Sequence, residues 1–284
     1  PVLRNVMRNF YSPLKDCDPY LEFVFLTGIT KFSQLSIFSE LNNLKNISMR
    51  TDYAGVCGIT KEEMLTAMSD YIDDFAEAQE ITREEAIEGL KRQYDGYHFT
   101  WPSPDVFNPF SLLNSFQDHD YTNYWFSSGT PTYLIEMLRK FNVVPSKIGG
   151  ASVLASAFDA PTENMRNIIP LLYQSGYITI KGYDKMSQLF TLDLPNKEIK
   201  VGLFESLMPY YLEGMYAEEG DVAIAQMSVL IRQGDMDGAL RLLQEFLGMV
   251  PYCNNTNCEG HYQQVLFIIF TLLTHFVVDV EVHT

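Results

Sequence analysis

The chain has 284 residues, 46% hydrophobic and 20% charged, a balance that excludes wholesale disorder and allows sizeable buried cores. Its 36 acidic residues against 20 basic ones give a net charge of −16, which repels nucleic acid and anionic membrane unless the basic groups gather in one place. The longest apolar run, 265–274, is far shorter than the ~20 residues that span a bilayer. No basic and apolar leader opens the chain. Four cysteines in so long a chain fit reduced thiols, and the expected location is the cytoplasm.

In chain order, Val2, Leu3, Val6, Met7, Phe10 and Leu14 share one face of an opening helix. Residues 20–27 (YLEFVFLT) form a nearly continuous apolar run, read as a strand buried on both faces and ended by Gly28. Loop and short helix follow over 29–47. Thr60 with Glu63 and Thr82 with Glu85 are capping boxes that each open an amphipathic helix. Residues 94–104 (YDGYHFTWPSP) read as an ordered aromatic loop. Asn108-Pro109 and Thr130-Pro131 each put a capping residue before a proline at the first helical position. A helix is expected over 162–175, with Pro170 inside it and Gly176 ending it. Strands at 177–182 and 189–194 flank a turn at Asp184-Lys185, and a helix follows over 199–212. That order of helix, hairpin and helix resembles a winged-helix unit. Helices at 221–233 and 237–248 pair across a Gly234-Asp235 turn. The last elements are a helix at 259–275 and a half-buried strand in which Val278, Val280 and Val282 alternate with Asp279, Glu281 and His283. A helix already running at the start and an unpartnered strand at the end lead to the expectation of an internal piece of a larger protein.

Tested from the chemistry upward, the sequence lacks the phosphate loop G-x-x-x-x-G-K-[ST], the nucleophile elbow G-x-S-x-G and the zinc pair H-E-x-x-H. Cys253, Cys258 and His261 are three potential zinc ligands, but their spacing is loose and a plain polar loop joins the cysteines. Thr27 closes the apolar strand, at the end where open α/β sheets bind ligands, and Lys31 lies just beyond. Asp95, His98 and Glu136 are acid–base candidates that nothing in the sequence brings together, and a hydrogen-bonded His98 within the aromatic loop is favoured. Arg139 stands late in a helix, where a cation suits the dipole. The hairpin offers only Lys181, Lys185 and Lys197, and the next helix Lys200 beside Glu198 and Glu205. That is thin for a DNA-reading surface.

Several ordered strings are distinctive together: LEFVFLTGITKFSQLSIFSELNNLKNIS (21–48), LKRQYDGYHF (90–99), VFNPFSLLNSF (106–116), YWFSSGTPTYLIEML (124–138) and LLYQSGYITIKGY (171–183). Over roughly residues 1–215 the chain resembles the bacterial predicted AAA-ATPase-like family, whose members usually carry a PD-(D/E)XK nuclease-like domain after the ATPase. The resemblance implies a mainly α fold with minor β. It divides into the C-terminal part of a P-loop-type α/β core (1–60), a helical lid (61–145), a winged-helix-like unit (146–215), and a helical pair with the start of the nuclease-like domain (216–284). It implies ATP and Mg²⁺ as cofactors of a longer protein, with the phosphate loop before this chain and most of the nuclease-like domain after it. Thr27 then matches the nucleotide-sensing position, with Lys31 and Arg139 as further candidates. DNA is a candidate partner of the longer protein and oligomerisation stays open. The competing reading is a non-catalytic module that binds protein or DNA.

Overall fold

The computed structural model describes residues 6, 9–28, 45–127, 132–158, 167–211, 217–249 and 258–273. They are mainly helical, with two small antiparallel sheets. After α1 (Pro13–Asp16), β1 (Ile59–Thr60) leads directly into α2 (Lys61–Ala67), and α3 (Ser69–Ala78) follows after one intervening residue, Met68. Glu63 accepts from both the backbone and the hydroxyl of Thr60, so the first expected capping box is present. The second opens α4 (Arg83–Tyr94), where Thr82 and Glu85 satisfy each other's backbone donors. β2 (Val106–Phe107) precedes α5 (Pro109–Asp118), and α6 (Tyr124–Ser127) and α7 (Thr132–Lys140) follow. Next come β3 (Ala151–Val153), α8 (Ile169–Gln174), β4 (Thr179–Asp184) and β5 (Leu189–Asp193). The chain continues through α9 (Lys197–Tyr211), α10 (Ala217–Arg232), α11 (Met236–Met249) and α12 (Cys258–Leu272).

The chain divides into two compact units, each assembled from separated segments. The first comprises Pro1–Ala67, Gly96–Asn108 and Gly150–Pro195. In it β1 pairs with β2, and β5 lies between β3 and β4. Gly58 is required at the first of these sheets, because a Cβ there would stand 2.5 Å from the Val106 side chain. Phe158 forms the centre of the second, its ring 4.4 Å from Tyr173 and 5.2 Å from Phe190. The expected hairpin is present. β3 adds a third strand that three residues of weak pattern did not announce.

The second unit comprises Met68–Asp95, Pro109–Gly149 and Asn196–Thr284. Here α3, α4 and α5 enclose Phe75, whose ring is 4.9 Å from Tyr121 and 6.4 Å from Phe116. α9 packs on α12 through Phe204 and Phe267, 5.5 Å apart. The Gln264 side chain of α12 accepts the Ser146 N–H at 3.1 Å.

Two sequence expectations need correction. Residues 21–28 belong to no strand or helix, and Phe23 is 80% exposed. A continuous apolar run marks a buried parallel strand only where neighbours supply a ladder, and no described strand pairs with it. Of the helix expected over 162–175, residues 162–166 lie outside those described; the described part is α8, six residues long, with Pro170 in its first turn rather than its middle. Proline there sacrifices no helical hydrogen bond, so no kink arises. Gly176, at φ 78°, stops it as expected. Residues 2–5 of the opening helix, the 29–44 segment and the strand at 276–283 lie outside the described residues.

Removing the α4 cap tests this reading of the helix starts. Thr82→Ala is expected to cost about 1 kcal/mol of stability by chemical denaturation, because the Glu85 N–H and Thr82 N–H both lose their arrangement.

Candidate functional site

In the first unit the aromatic loop is held to β4 through its backbone. The His98 N–H donates to Thr179 Oγ1 at 2.8 Å, and the same hydroxyl donates back to the His98 carbonyl at 3.0 Å. Two positions along, the Lys181 ammonium donates to the carbonyls of Gly96 at 2.6 Å and Pro195 at 3.1 Å. Gly96 has φ 95°, and a Cβ on it would meet the Pro195 oxygen at 2.5 Å and Lys181 Nζ at 2.9 Å. Only glycine fits that approach.

The loop presents a set of polar side chains around His98, which is buried at 6% exposure. Its Nε2 lies 2.7 Å from Asp105 Oδ1, its Nδ1 3.0 Å from Ser103 Oγ, and the Trp101 ring is 4.9 Å from the imidazole. Burial pushes the imidazole pKa down, more than Asp105 pulls it back, and Lys181 adds to the downward push. The ring is therefore neutral near pH 7, with Nε2–H donating to Asp105 and the Nδ1 lone pair facing Ser103. These are the residue types of a nucleophile, a base and an orienting acid. The Ser103 hydroxyl is also 3.0 Å from the Thr100 carbonyl, however, and that bond directs it into the loop. In this arrangement the network shapes the loop, as expected for His98.

The partner of His98 is Asp105, not Asp95 or Glu136. Glu136 is exposed on α7. Sequence reading missed Ser103 and Asp105, although both follow His98 within seven residues and flank Pro104, a pattern that turns a loop back on itself.

The second unit contains a group that the sequence disguised. Glu198 opens α9 and is fully buried. Its Oε1 accepts the Trp125 N–H at the start of α6 at 2.9 Å. Burial raises its pKa from the ordinary 4.5 to about 7, against the pull of the Trp125 N–H, the Ser111 hydroxyl and the Tyr124 N–H. In the sequence it stands between two lysines and reads as a solvated charge. Only tertiary packing reveals the carboxyl as an internal joint.

The other candidates are dispersed. Thr27 is exposed at the end of the apolar run, which forms no strand. Lys31 and Cys253 lie outside the described residues, as does the side chain of Cys258. His261 stacks on Tyr211 at 5.8 Å, and no cluster of three potential metal ligands occurs among the described residues. Arg139 lies over the Tyr210 ring at 5.4 Å, a cation–π contact. The hairpin lysine Lys181 is consumed by carbonyls, and the pKa of Lys197 is lowered by burial and by Arg92. Among the described residues no helix is long and apolar enough to cross a membrane.

Residues 2–38 match the family model for predicted AAA-ATPases. The chain is also 33% identical over 286 residues to a curated protein of Azotobacter chroococcum mcd 1, described as an uncharacterized protein in the vnfD 5′ region. That match takes in 95% of this chain and 51% of the relative, so the chain spans about half the relative's length. Of the two matches, only the first names a family, and it takes in residues 2–38. No solved structure matches the chain.

Glu198 yields a pH prediction with a defined sign. Folding favours the neutral carboxyl, so its contribution is fully present below about pH 4.5 and is lost as pH rises through about 7. The loss is on the order of 3 kcal/mol. Glu198→Gln retains an acceptor for the Trp125 N–H and carries no ionisable proton. Relative to the native chain it is expected to gain about 2–3 kcal/mol between about pH 5 and about pH 8 in denaturation experiments.

Proposed function

We propose that this chain is the C-terminal portion of an AAA-type ATPase, the part that senses nucleotide state and forms a lid, and that it is inactive alone. The match of residues 2–38 to the predicted AAA-ATPase family carries this reading. In a longer protein, ATP and Mg²⁺ would be the cofactors and Thr27 the nucleotide-sensing residue, with Lys31 and Arg139 as secondary candidates. The helices over 61–145 would move with the nucleotide state, and the hairpin and its flanking helices would ride on them. The tail after the helical pair, 259–284, would begin a nuclease-like domain.

The chain contains no phosphate-binding loop. Phosphoryl transfer relies on backbone amides and a lysine that cradle the phosphates and on a held Mg²⁺, and without them several powers of ten in rate are lost. The alternative of a DNA-binding winged helix fares worse on charge: Lys181 is spent on two backbone carbonyls, and the chain carries a net −16.

Magnesium-dependent ATP turnover by the purified 284-residue chain is expected to stay at background. Turnover that Thr27→Ala abolishes would overturn the inactivity of the chain alone. The full-length Azotobacter relative is expected to bind and hydrolyse ATP with Mg²⁺; failure to bind nucleotide would remove the ATPase reading itself.

A further inference from the structure

The helix pair α10–α11 bears an apolar groove of about 620 Å³, within the second unit. Val222, Gln226 and Leu230 line it from one helix, and Arg241, Leu242 and Glu245 from the other. These are helical spacings, so each helix contributes one continuous stripe. Val222 is 55% exposed and Val229 41%, which leaves apolar surface open to water along the groove.

The stripes are palindromic. On α11, Gly238, Arg241, Glu245 and Gly248 are placed symmetrically about Leu243, and Arg241 and Glu245 are both exposed. On α10, Val222 and Leu230 are equidistant from Gln226. Gln226 and Leu243 lie eight and nine residues from the Gly234 turn, hence at nearly the same height on the antiparallel pair. A single two-fold axis lying just outside this face, over both centres, can therefore serve both stripes. We propose that this face binds a second copy of the chain, each α11 antiparallel to its counterpart.

Under that axis Arg241 of one copy meets Glu245 of the other, twice, and Gly238 lies opposite Gly248. The charges are self-complementary, as an isologous interface demands. Gly248 has open space around it, while the Asp235 carboxylate lies against Gly238 and accepts its N–H at 2.8 Å. A copy in a parallel, in-register arrangement would set Arg241 against Arg241 and Glu245 against Glu245, so the charges disfavour that arrangement. Helices of 16 and 14 residues are about 24 and 21 Å long, which limits the contact to the low end of specific interfaces. A contact of that size belongs with weak, transient associations, so the micromolar range is the one to test.

Sedimentation equilibrium of the 284-residue chain over the micromolar range tests this. A monomer–dimer equilibrium is expected, with Arg241→Glu and Glu245→Arg each weakening it about tenfold or more, since each sets like charges against one another twice. The double swap Arg241→Glu/Glu245→Arg is expected to restore association. Both positions are on the surface, and circular dichroism verifies that every variant folds. A chain that stays monomeric at all concentrations, dimerisation indifferent to the single swaps, or a double swap without rescue would each overturn the proposal.

Discussion

Thr179 holds both backbone groups of His98 with one hydroxyl, and Lys181 holds two carbonyls with one ammonium. Three of these bonds attach the aromatic loop to a strand 81 to 85 positions later in the chain, and the fourth ties Lys181 to Pro195. A loop of this kind has no ladder of its own, apart from the bridge between Tyr97 and Val106, so its polar backbone must be satisfied from outside. With the main chain pinned, the imidazole of His98 is fixed, and Ser103 and Asp105 fold back onto its two nitrogens. Without Thr179 the ring would have no defined position. Burial keeps the imidazole neutral, and neutrality decides which nitrogen donates. The sequence of cause runs from a β-branched hydroxyl on a strand to a tautomer in a loop.

The second unit uses a carboxyl for a similar purpose at greater electrostatic cost. Glu198 supplies the start of α6 with an acceptor that no local residue provides. A four-residue helix has no interior, so the N–H groups of its first turn depend on outside partners. Ionisation would be favoured by these donors and opposed by the loss of water, and burial is the larger effect. The joint is thus a hydrogen bond to a carboxyl that stays mostly neutral below about pH 7, rather than a salt bridge.

Neither arrangement resembles a nucleotide site, and the functional reading rests instead on similarity to the predicted AAA-ATPase family. Cations that look available in the sequence are committed once the chain folds: Lys181 to carbonyls, Arg139 to the Tyr210 ring. Charge counted along a sequence overstates the charge a surface can offer to phosphate, because ammonium and guanidinium groups are also the best donors for otherwise unsatisfied acceptors. The α10–α11 face is different, since Arg241 and Glu245 remain exposed beside open apolar surface.

Local signals in the sequence determined the helix starts at Thr60 and Thr82, the stop at Gly176, the hairpin around Asp184 and the Gly234 turn. Each depends on residues within a few positions, where capping and turn chemistry operate. The helical pair and the long apolar helix α12 were legible for the same reason, through their 3.6-residue period. Tertiary structure alone decided the rest. Whether the run at 20–27 pairs in a sheet depends on strands elsewhere, and three-residue β3 exists only because β5 offers it an edge. Asp105, rather than two other acids, became the partner of His98 because the pinned loop turns it there. Glu198 became an internal acid because Trp125, 73 positions earlier, lies against it. Burial and long-range hydrogen bonds are properties of the folded chain, and no window of local sequence contains both partners.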